Sequence, residues 1–109
     1  MKLLFLCSRN KRRSLTAEKV FNGYDGHETR SAGTESNSRI KVTEGMLGWA
    51  DIVFCMEKKH LRRIKATYGY AIENKCVEVL NIYDDYEYMD EELTTLLKSA
   101  VKDVLEKRR

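Results

Sequence analysis

Four short segments are candidates for the strands of a sheet. The first and the third are continuous apolar runs, which are typical of central strands in a parallel sheet because helices then cover both faces. We predict strands at residues 3–6, 29–32, 52–56 and 77–82.

The segments between and after these strands have apolar residues at helical spacing. The last is the clearest, since its apolar positions between Leu93 and Leu105 follow the helical period and Asp90 precedes it at an N-cap position. We predict a helix from Ser14 to Gly23, a short helix capped by Thr43, a helix that ends near Gly69, and a last helix after Asp90.

Strands that alternate with helices indicate an α/β fold. Right-handed crossovers then give a parallel sheet. We therefore predict one domain over residues 1–109, with three layers: a four-stranded parallel sheet and helices on both of its faces. Ligands bind such sheets beyond the carboxyl ends of the strands. Cys7, after the first strand, and Asp84, after the fourth, are expected at that edge.

Composition and charge restrict the classes of function. A formal net charge of +3 suits anionic ligands, and without a reader motif it disfavours nucleic acid as a partner. The three cysteines are odd in number and widely spaced, which favours reduced thiols over a disulfide framework. The apolar run after Met1 is too short for a signal peptide or a membrane span. We expect a cytoplasmic protein that needs no cofactor, metal or membrane.

The segment between the first strand and the first helix carries the candidate chemistry. Five residues separate Cys7 from Arg13, and Ser14 follows. A loop of this length can curl its backbone N–H groups around an oxyanion, and the helix N-terminus adds positive potential. Arg13 would add two parallel donors to the phosphoryl oxygens. The loop residues expected to bind the phosphoryl group, or a phosphate or sulfate ion, are Ser8, Arg9, Asn10, Lys11, Arg12 and Ser14.

The same surroundings favour Cys7 as a nucleophile. A helix N-terminus and nearby cations favour the thiolate, and Ser14 can donate a hydrogen bond to it. In-line attack on phosphorus gives a phosphocysteine intermediate, so the sequence predicts a phosphomonoester hydrolase that acts on a phosphorylated protein or a small phosphomonoester. Each feature alone is also typical of a core cysteine beside a solvated basic loop. Their combination favours catalysis.

An acidic, aromatic loop follows the fourth predicted strand. The leaving oxygen of a phosphomonoester needs a proton, which Asp84 or Asp85 can supply from the same edge of the sheet. Asp85 and Tyr86 are also expected to bind the substrate, with Tyr86 as a wall of the pocket. Taken alone, this loop is equally typical of a solvated turn before a helix.

With both loops in view, the sequence resembles the low-molecular-weight protein tyrosine phosphatases. That family opens with a strand, then Cys-x-Gly-Asn-x-Cys-Arg-Ser, then a helix. Cys7, Asn10, Arg13 and Ser14 match this pattern at the same spacing. Residues that resemble the family's Ser-Ala-Gly turn, third strand and Asp-Pro-Tyr acid loop lie at 31–34, 50–56 and 84–86.

The resemblance implies a role for each matching residue. Cys7 is the nucleophile, Arg13 binds the phosphoryl group and Asp84 is the general acid, because Asp85 aligns with the family's proline. Phosphotyrosine is the default substrate. The polar network that holds the loop is expected to consist of Asn10, Ser14 and Ser31.

The chain is a short and divergent example of the pattern. Arg9 replaces the family's glycine, at a position that often requires unusual backbone angles, and Arg12 replaces the second loop cysteine. His27 and His60 lack metal-ligand spacing and are expected at the surface.

Two other functions are compatible with this topology. Phosphocysteine relay domains of sugar phosphotransferase systems share it, but they lack a counterpart of Arg13 and a general acid. A non-catalytic phosphate-binding module is the other alternative, and it is favoured if Arg9 distorts the loop or Asp84 points away.

Overall fold

The computed structural model describes residues 1–108 and has an α/β fold. Arg109, the last residue of the predicted domain, lies outside the described residues. The elements alternate along the chain: β1 (Lys2–Cys7), α1 (Arg13–Phe21), β2 (Glu28–Gly33), α2 (Glu44–Trp49), β3 (Ile52–Cys55), α3 (Lys58–Ile72), β4 (Cys76–Val79) and α4 (Glu91–Lys107). A 3-10 turn at Tyr24–Gly26 precedes β2.

The strands form one four-stranded parallel sheet in the order β2-β1-β3-β4. β1 is central, since Phe5 pairs with Ser31 of β2 on one side and with Phe54 of β3 on the other. The carboxyl ends of all four strands therefore meet at one edge, and the predicted sheet is confirmed.

Helices cover both faces, which confirms the three layers. α1 and α4 pack on one face, where the ring centroid of Phe5 lies 5.8 Å from that of Phe21 in α1 and 5.1 Å from that of Phe54. α2 and α3 pack on the other face, over Leu4 and Leu6. Successive side chains of β1 point to opposite faces, so a continuous apolar strand requires this two-sided cover.

β4 is shorter than the predicted strand, which extended to residue 82. Asn81 has φ 57°, in the left-handed region, and this interrupts the extended chain. Two hydrogen bonds still hold the segment beside β3, from Leu80 N to Cys55 O at 2.9 Å and from Ile82 N to Met56 O at 2.8 Å. The carbonyl group of Ile82 is thereby kept at the carboxyl edge of the sheet.

α3 is longer than predicted, since it passes Gly69 and ends at Ile72. Ile72 is buried in the core between the sheet and α3, and its burial favours the extra turn. Tyr68 departs from helical angles inside α3, and its hydroxyl donates to Val42 O at 3.3 Å. Among residues 1–108, no helix is long and apolar enough to cross a membrane.

Candidate active site

Residues 8–12 form the loop between β1 and α1. Asn10 has φ 59°, which asparagine tolerates better than most residues. Arg9 is not among the residues with positive φ, so its side chain replaces the family's glycine without that strain. Within the described chain, no protein acceptor takes a hydrogen bond from the N–H groups of residues 8–12. These groups are therefore available to an anion.

The carbonyl groups of the loop are held by the segment that follows β2. Thr34 N donates to Cys7 O at 3.0 Å, and Glu35 N donates to Ser8 O at 2.9 Å. Gly33 permits this close approach, because a Cβ there would lie 2.7 Å from Ser8 O. These hydrogen bonds fix the carbonyl groups at the start of the loop.

Cys7 lies at the end of β1 and is buried. Its Sγ is 2.9 Å from Ser14 Oγ, and Asn10 Nδ2 donates to the same oxygen at 2.7 Å. Because Ser14 accepts from Asn10, its own hydroxyl hydrogen can be donated to the sulfur, which stabilises a thiolate. Asn10 and Ser14 thus make the contacts that the resemblance implies.

Ser31 does not join this network, which corrects the expectation from the resemblance. Its hydroxyl donates to Glu18 Oε1 of α1 at 2.5 Å. Ser31 pairs with Phe5, whereas Gly33 pairs with Cys7, the last residue before the loop. Ser31 therefore lies two residues away from the carboxyl edge where the loop begins.

Arg13 begins α1, and only 1% of it is exposed. Its Nη1 donates to Glu57 Oε2 at 2.6 Å and to Ile82 O at 2.7 Å. Nε lies 3.7 Å from Asp84 Oδ1. The two hydrogen bonds of Nη1 fix the plane of the guanidinium, so Nε and Nη2 are left to donate in parallel to two phosphoryl oxygens.

Glu57 is a functional residue that the sequence reasoning missed. Burial raises the pKa of its carboxyl, but the hydrogen bond and charge of Arg13 outweigh burial, and the net pKa is lowered. Glu57 is therefore ionised at neutral pH and anchors Arg13. A carboxylate placed directly after the buried strand β3, at the edge where Arg13 lies, was the signal available in the sequence.

His60 is a second missed residue, and its predicted surface location is wrong, since only 1% of it is exposed. Glu57 N donates to His60 Nδ1 at 3.0 Å, and His60 Nε2 lies 3.0 Å from Ser8 Oγ. Burial, followed by the charge of Arg13, lowers the pKa of His60 to about 4. The ring is therefore neutral at pH 7 with its hydrogen on Nε2, which donates to Ser8.

His27 is also buried, against the prediction. It is 8% exposed and lies at the amino ends of the strands, where the Met1 amino nitrogen is 3.2 Å from its Nδ1. His27 is remote from the loop and takes no part in the site.

A cavity of about 440 Å³ lies over the loop. The predicted site residues that line it are Cys7, Ser8, Arg9, Lys11, Arg12, Arg13 and Asp84. Asn10 is fully buried and supports the loop through Ser14. Glu35 and Lys59, which the sequence reasoning did not assign to the site, complete the lining.

Asp85 and Tyr86 do not line this cavity, which corrects their predicted role in substrate binding. They line a neighbouring cavity of about 350 Å³ beside α4, with Leu96. Tyr86 packs against the core between the sheet and α4 and does not line the cavity over the loop. Of the two aspartates, Asp84 alone faces the loop.

The other two cysteines remain thiols, as expected from the sequence. Burial raises the pKa of Cys55 to about 12, and burial also raises the pKa of Cys76. All three cysteines are free. Of the three cysteines, Cys7 alone lines the cavity over the loop.

Comparison with solved structures places this geometry among known folds. The low-molecular-weight protein tyrosine phosphatase from T. tengcongensis is 22% identical, with a TM-score of 0.78 over 98% of this chain and 99% of that chain. The tyrosine phosphatase Wzb from Escherichia coli K30, solved in complex with phosphate, is 20% identical, with a TM-score of 0.76 over 97% and 96% of the two chains.

A third match is a mutant of the arginine phosphatase YwlE with a phosphorylated active-site serine. It is 22% identical, with a TM-score of 0.74 over 100% of this chain and 98% of that chain. This chain has the fold of the low-molecular-weight protein tyrosine phosphatases. No protein-family model matches the sequence, and no curated protein matches it.

Proposed function

We propose that this chain is a cysteine-dependent phosphatase of the low-molecular-weight family, which hydrolyses phosphomonoesters through a phosphocysteine intermediate. The observation that carries the proposal is the 2.9 Å contact between Cys7 Sγ and Ser14 Oγ, in a loop whose N–H groups donate to no described residue. The anchored guanidinium of Arg13 lines the same cavity.

The first chemical step transfers the phosphoryl group to sulfur. The loop N–H groups and the Nε and Nη2 groups of Arg13 bind the phosphoryl oxygens. The thiolate of Cys7 attacks phosphorus, an S–P bond forms and the P–O bond of the ester breaks. Asp84 gives its proton to the leaving oxygen, so no free alkoxide or phenoxide is released.

The second step returns the enzyme to its starting state. The carboxylate of Asp84 takes a proton from a water molecule, which attacks phosphorus as the S–P bond breaks. Inorganic phosphate leaves, and the hydrogen bond from Ser14 stabilises the departing thiolate of Cys7. Asp84 is protonated again for the next cycle.

We assign phosphotyrosine in a cytoplasmic phosphoprotein as the substrate, because two of the matching folds are named tyrosine phosphatases. Free cysteines suit a reducing compartment. Phosphoarginine is disfavoured, since the guanidinium of that substrate would face the cations of Lys11 and Arg12 at the cavity.

The proposal is tested by hydrolysis of para-nitrophenyl phosphate. We expect Cys7→Ser to lose turnover while it still binds inorganic phosphate, and we expect the control Cys76→Ser to match the wild type. If the wild type and Cys7→Ser both bind phosphate and both hydrolyse para-nitrophenyl phosphate only at the background rate, the chain is a phosphate-binding module. If Cys7 accepts phosphate from a phosphorylated carrier and hydrolyses it slowly, the chain is a phosphocysteine relay.

A further inference from the structure

The mouth of the cavity carries four cationic side chains, which we call the basic rim: Arg9, Lys11, Arg12 and Lys59. The side chains of Arg9, Arg12 and Lys59 are 57%, 50% and 58% exposed. They surround the place where a phosphoryl group meets Arg13. A substrate must pass them to reach Cys7.

The ion pairs within the protein neutralise the basic rim only weakly. Arg9 Nε lies 3.9 Å from Glu35, and Arg12 Nε lies 3.7 Å from Glu87. Such long, exposed pairs contribute little. Lys11 makes no ion pair with any described residue.

Lys59 is also incompletely neutralised. Its Nζ is 3.8 Å from Glu57 Oε2, and the same oxygen accepts a 2.6 Å hydrogen bond from Arg13. A carboxylate that is already paired with a buried guanidinium contributes little further neutralisation to a second cation. The basic rim therefore keeps positive charge that a ligand can use.

Besides the basic rim, the charged side chains of the described lining are Arg13, Glu35 and Asp84, so cations outnumber carboxylates around the phosphoryl group. Among residues 1–108, no aromatic side chain lines the cavity, and Tyr86 lies in the neighbouring cavity. A ligand ring, whether a nucleobase or the ring of phosphotyrosine, would have no ring on which to stack there, so charge is left to distinguish ligands. Carboxylates, by contrast, match the Arg and Lys donors of the basic rim.

We propose that the basic rim selects phosphotyrosine residues flanked by Asp and Glu in the substrate protein. The inference rests on the proposed function, and it names the substrate class of the same site. Acidic flanks are attracted to the rim before the phosphoryl group enters, so the effect falls mainly on kcat/KM and decreases with salt.

The test compares three phosphotyrosine peptides of equal length with acidic, neutral or basic flanks. We expect about tenfold higher kcat/KM for the acidic peptide than for the neutral one at low salt. The ratio should fall towards one in Lys59→Glu and remain high in Lys65→Glu, which makes the same charge change at an exposed position of α3 outside the basic rim.

Binding to Cys7→Ser, measured by fluorescence anisotropy with the same peptides, separates this inference from the proposed function. If para-nitrophenyl phosphate is hydrolysed but the three peptides bind and react equally, the inference is wrong and the phosphatase proposal stands. If no substrate is hydrolysed but acidic peptides still bind more tightly, the basic rim is confirmed and the phosphatase proposal fails. A terminally phosphorylated oligonucleotide that outcompetes the acidic peptide would overturn the inference.

Discussion

His60 Nε2 lies 3.0 Å from Ser8 Oγ, and this contact joins α3 to the loop between β1 and α1. Because Glu57 N donates to the other ring nitrogen, the hydrogen of the neutral ring is on Nε2 and points at Ser8. Ser8 accepts it, so its own hydroxyl hydrogen is free to point into the cavity. His60 thus acts on the site through Ser8, as a positioning residue.

Removal of the His60 ring should weaken substrate binding. We expect His60→Leu and Ser8→Ala each to raise KM about fivefold, the value of one hydrogen bond of about 1 kcal/mol, with a smaller change in kcat. His60→Gln, which keeps a donor and an acceptor, should restore part of the loss. Steady-state kinetics with para-nitrophenyl phosphate measures all three.

The double variant and a control decide whether this effect passes through Ser8. The effects of His60→Leu and Ser8→Ala should not add, since both remove the same contact. His27→Gln, at the other buried histidine, should leave KM unchanged. Additive effects on KM would contradict the positioning role.

The buried neutral ring of His60 should also make stability depend on pH. Its folded pKa is about 4 against 6.5 for a free histidine, because burial and then Arg13 disfavour the charge. Between these values the unfolded state binds more protons, so stability is full above pH 6.5 and decreases as the pH falls towards 4.

Urea unfolding at neutral pH and near pH 4 measures this linkage. The wild type should lose about 2 kcal/mol more than His60→Gln over this range. The comparison removes the contribution of Glu57, whose lowered pKa acts in both proteins. Equal losses in the two proteins would show that His60 is not the titrating group.

The Arg13–Glu57 pair should be required for both stability and catalysis. Glu57→Ala leaves a buried cation with the Ile82 carbonyl oxygen and the longer, 3.7 Å ion pair to the exposed Asp84, which costs about 3 kcal/mol of unfolding free energy. The freed guanidinium should also lower kcat/KM roughly a hundredfold.

An exposed ion pair gives the control for this prediction. Asp103→Ala breaks the 3.2 Å pair with Lys107 on α4 and should change stability by less than about 1 kcal/mol. Chemical denaturation and kinetics test both variants. If Glu57→Ala were as mild as Asp103→Ala, the anchoring of Arg13 by Glu57 would be refuted.

Asp84 and Asp85 should differ sharply as general acids. Asp84 lies 3.7 Å from Arg13 Nε and lines the cavity, whereas Asp85 faces the neighbouring one. We expect Asp84→Asn to lower kcat/KM, which reports formation of the intermediate, about a hundredfold for phenyl phosphate and far less for dinitrophenyl phosphate, whose leaving group needs no proton. Asp85→Asn should behave as wild type with both substrates. If Asp85→Asn lost the activity and Asp84→Asn kept it, Asp85 would be the general acid.

The fold could be predicted from the sequence because its signals are local. The continuous apolar run of β1 and the helical period of α4 each indicate one element, and alternation of elements gives the parallel sheet. The predicted ends of the strands and helices were less accurate. The left-handed Asn81 shortened β4, and the buried side chain of Ile72 lengthened α3.

The site was only partly predictable, because some of its contacts join distant segments. Cys7 and Arg13 share one loop, and their spacing is visible in the sequence. Glu57 reaches Arg13 from 44 residues away and His60 reaches Ser8 from 52 residues away, and no spacing rule links them. The role of Tyr86 was mispredicted for a related reason, because its position depends on packing against core residues that are distant in sequence.

The phosphocysteine on Cys7 is the central claim, and Asp84→Asn offers the most direct measurement of it. With dinitrophenyl phosphate, sulfur is phosphorylated without an acid, whereas breakdown lacks its base, so the intermediate should accumulate. After acid quenching, peptide mass spectrometry should find one phosphoryl group on Cys7, and none on any cysteine of a Cys7→Ala/Asp84→Asn control. An unmodified Cys7, or turnover that persists in Cys7→Ala, would contradict the account.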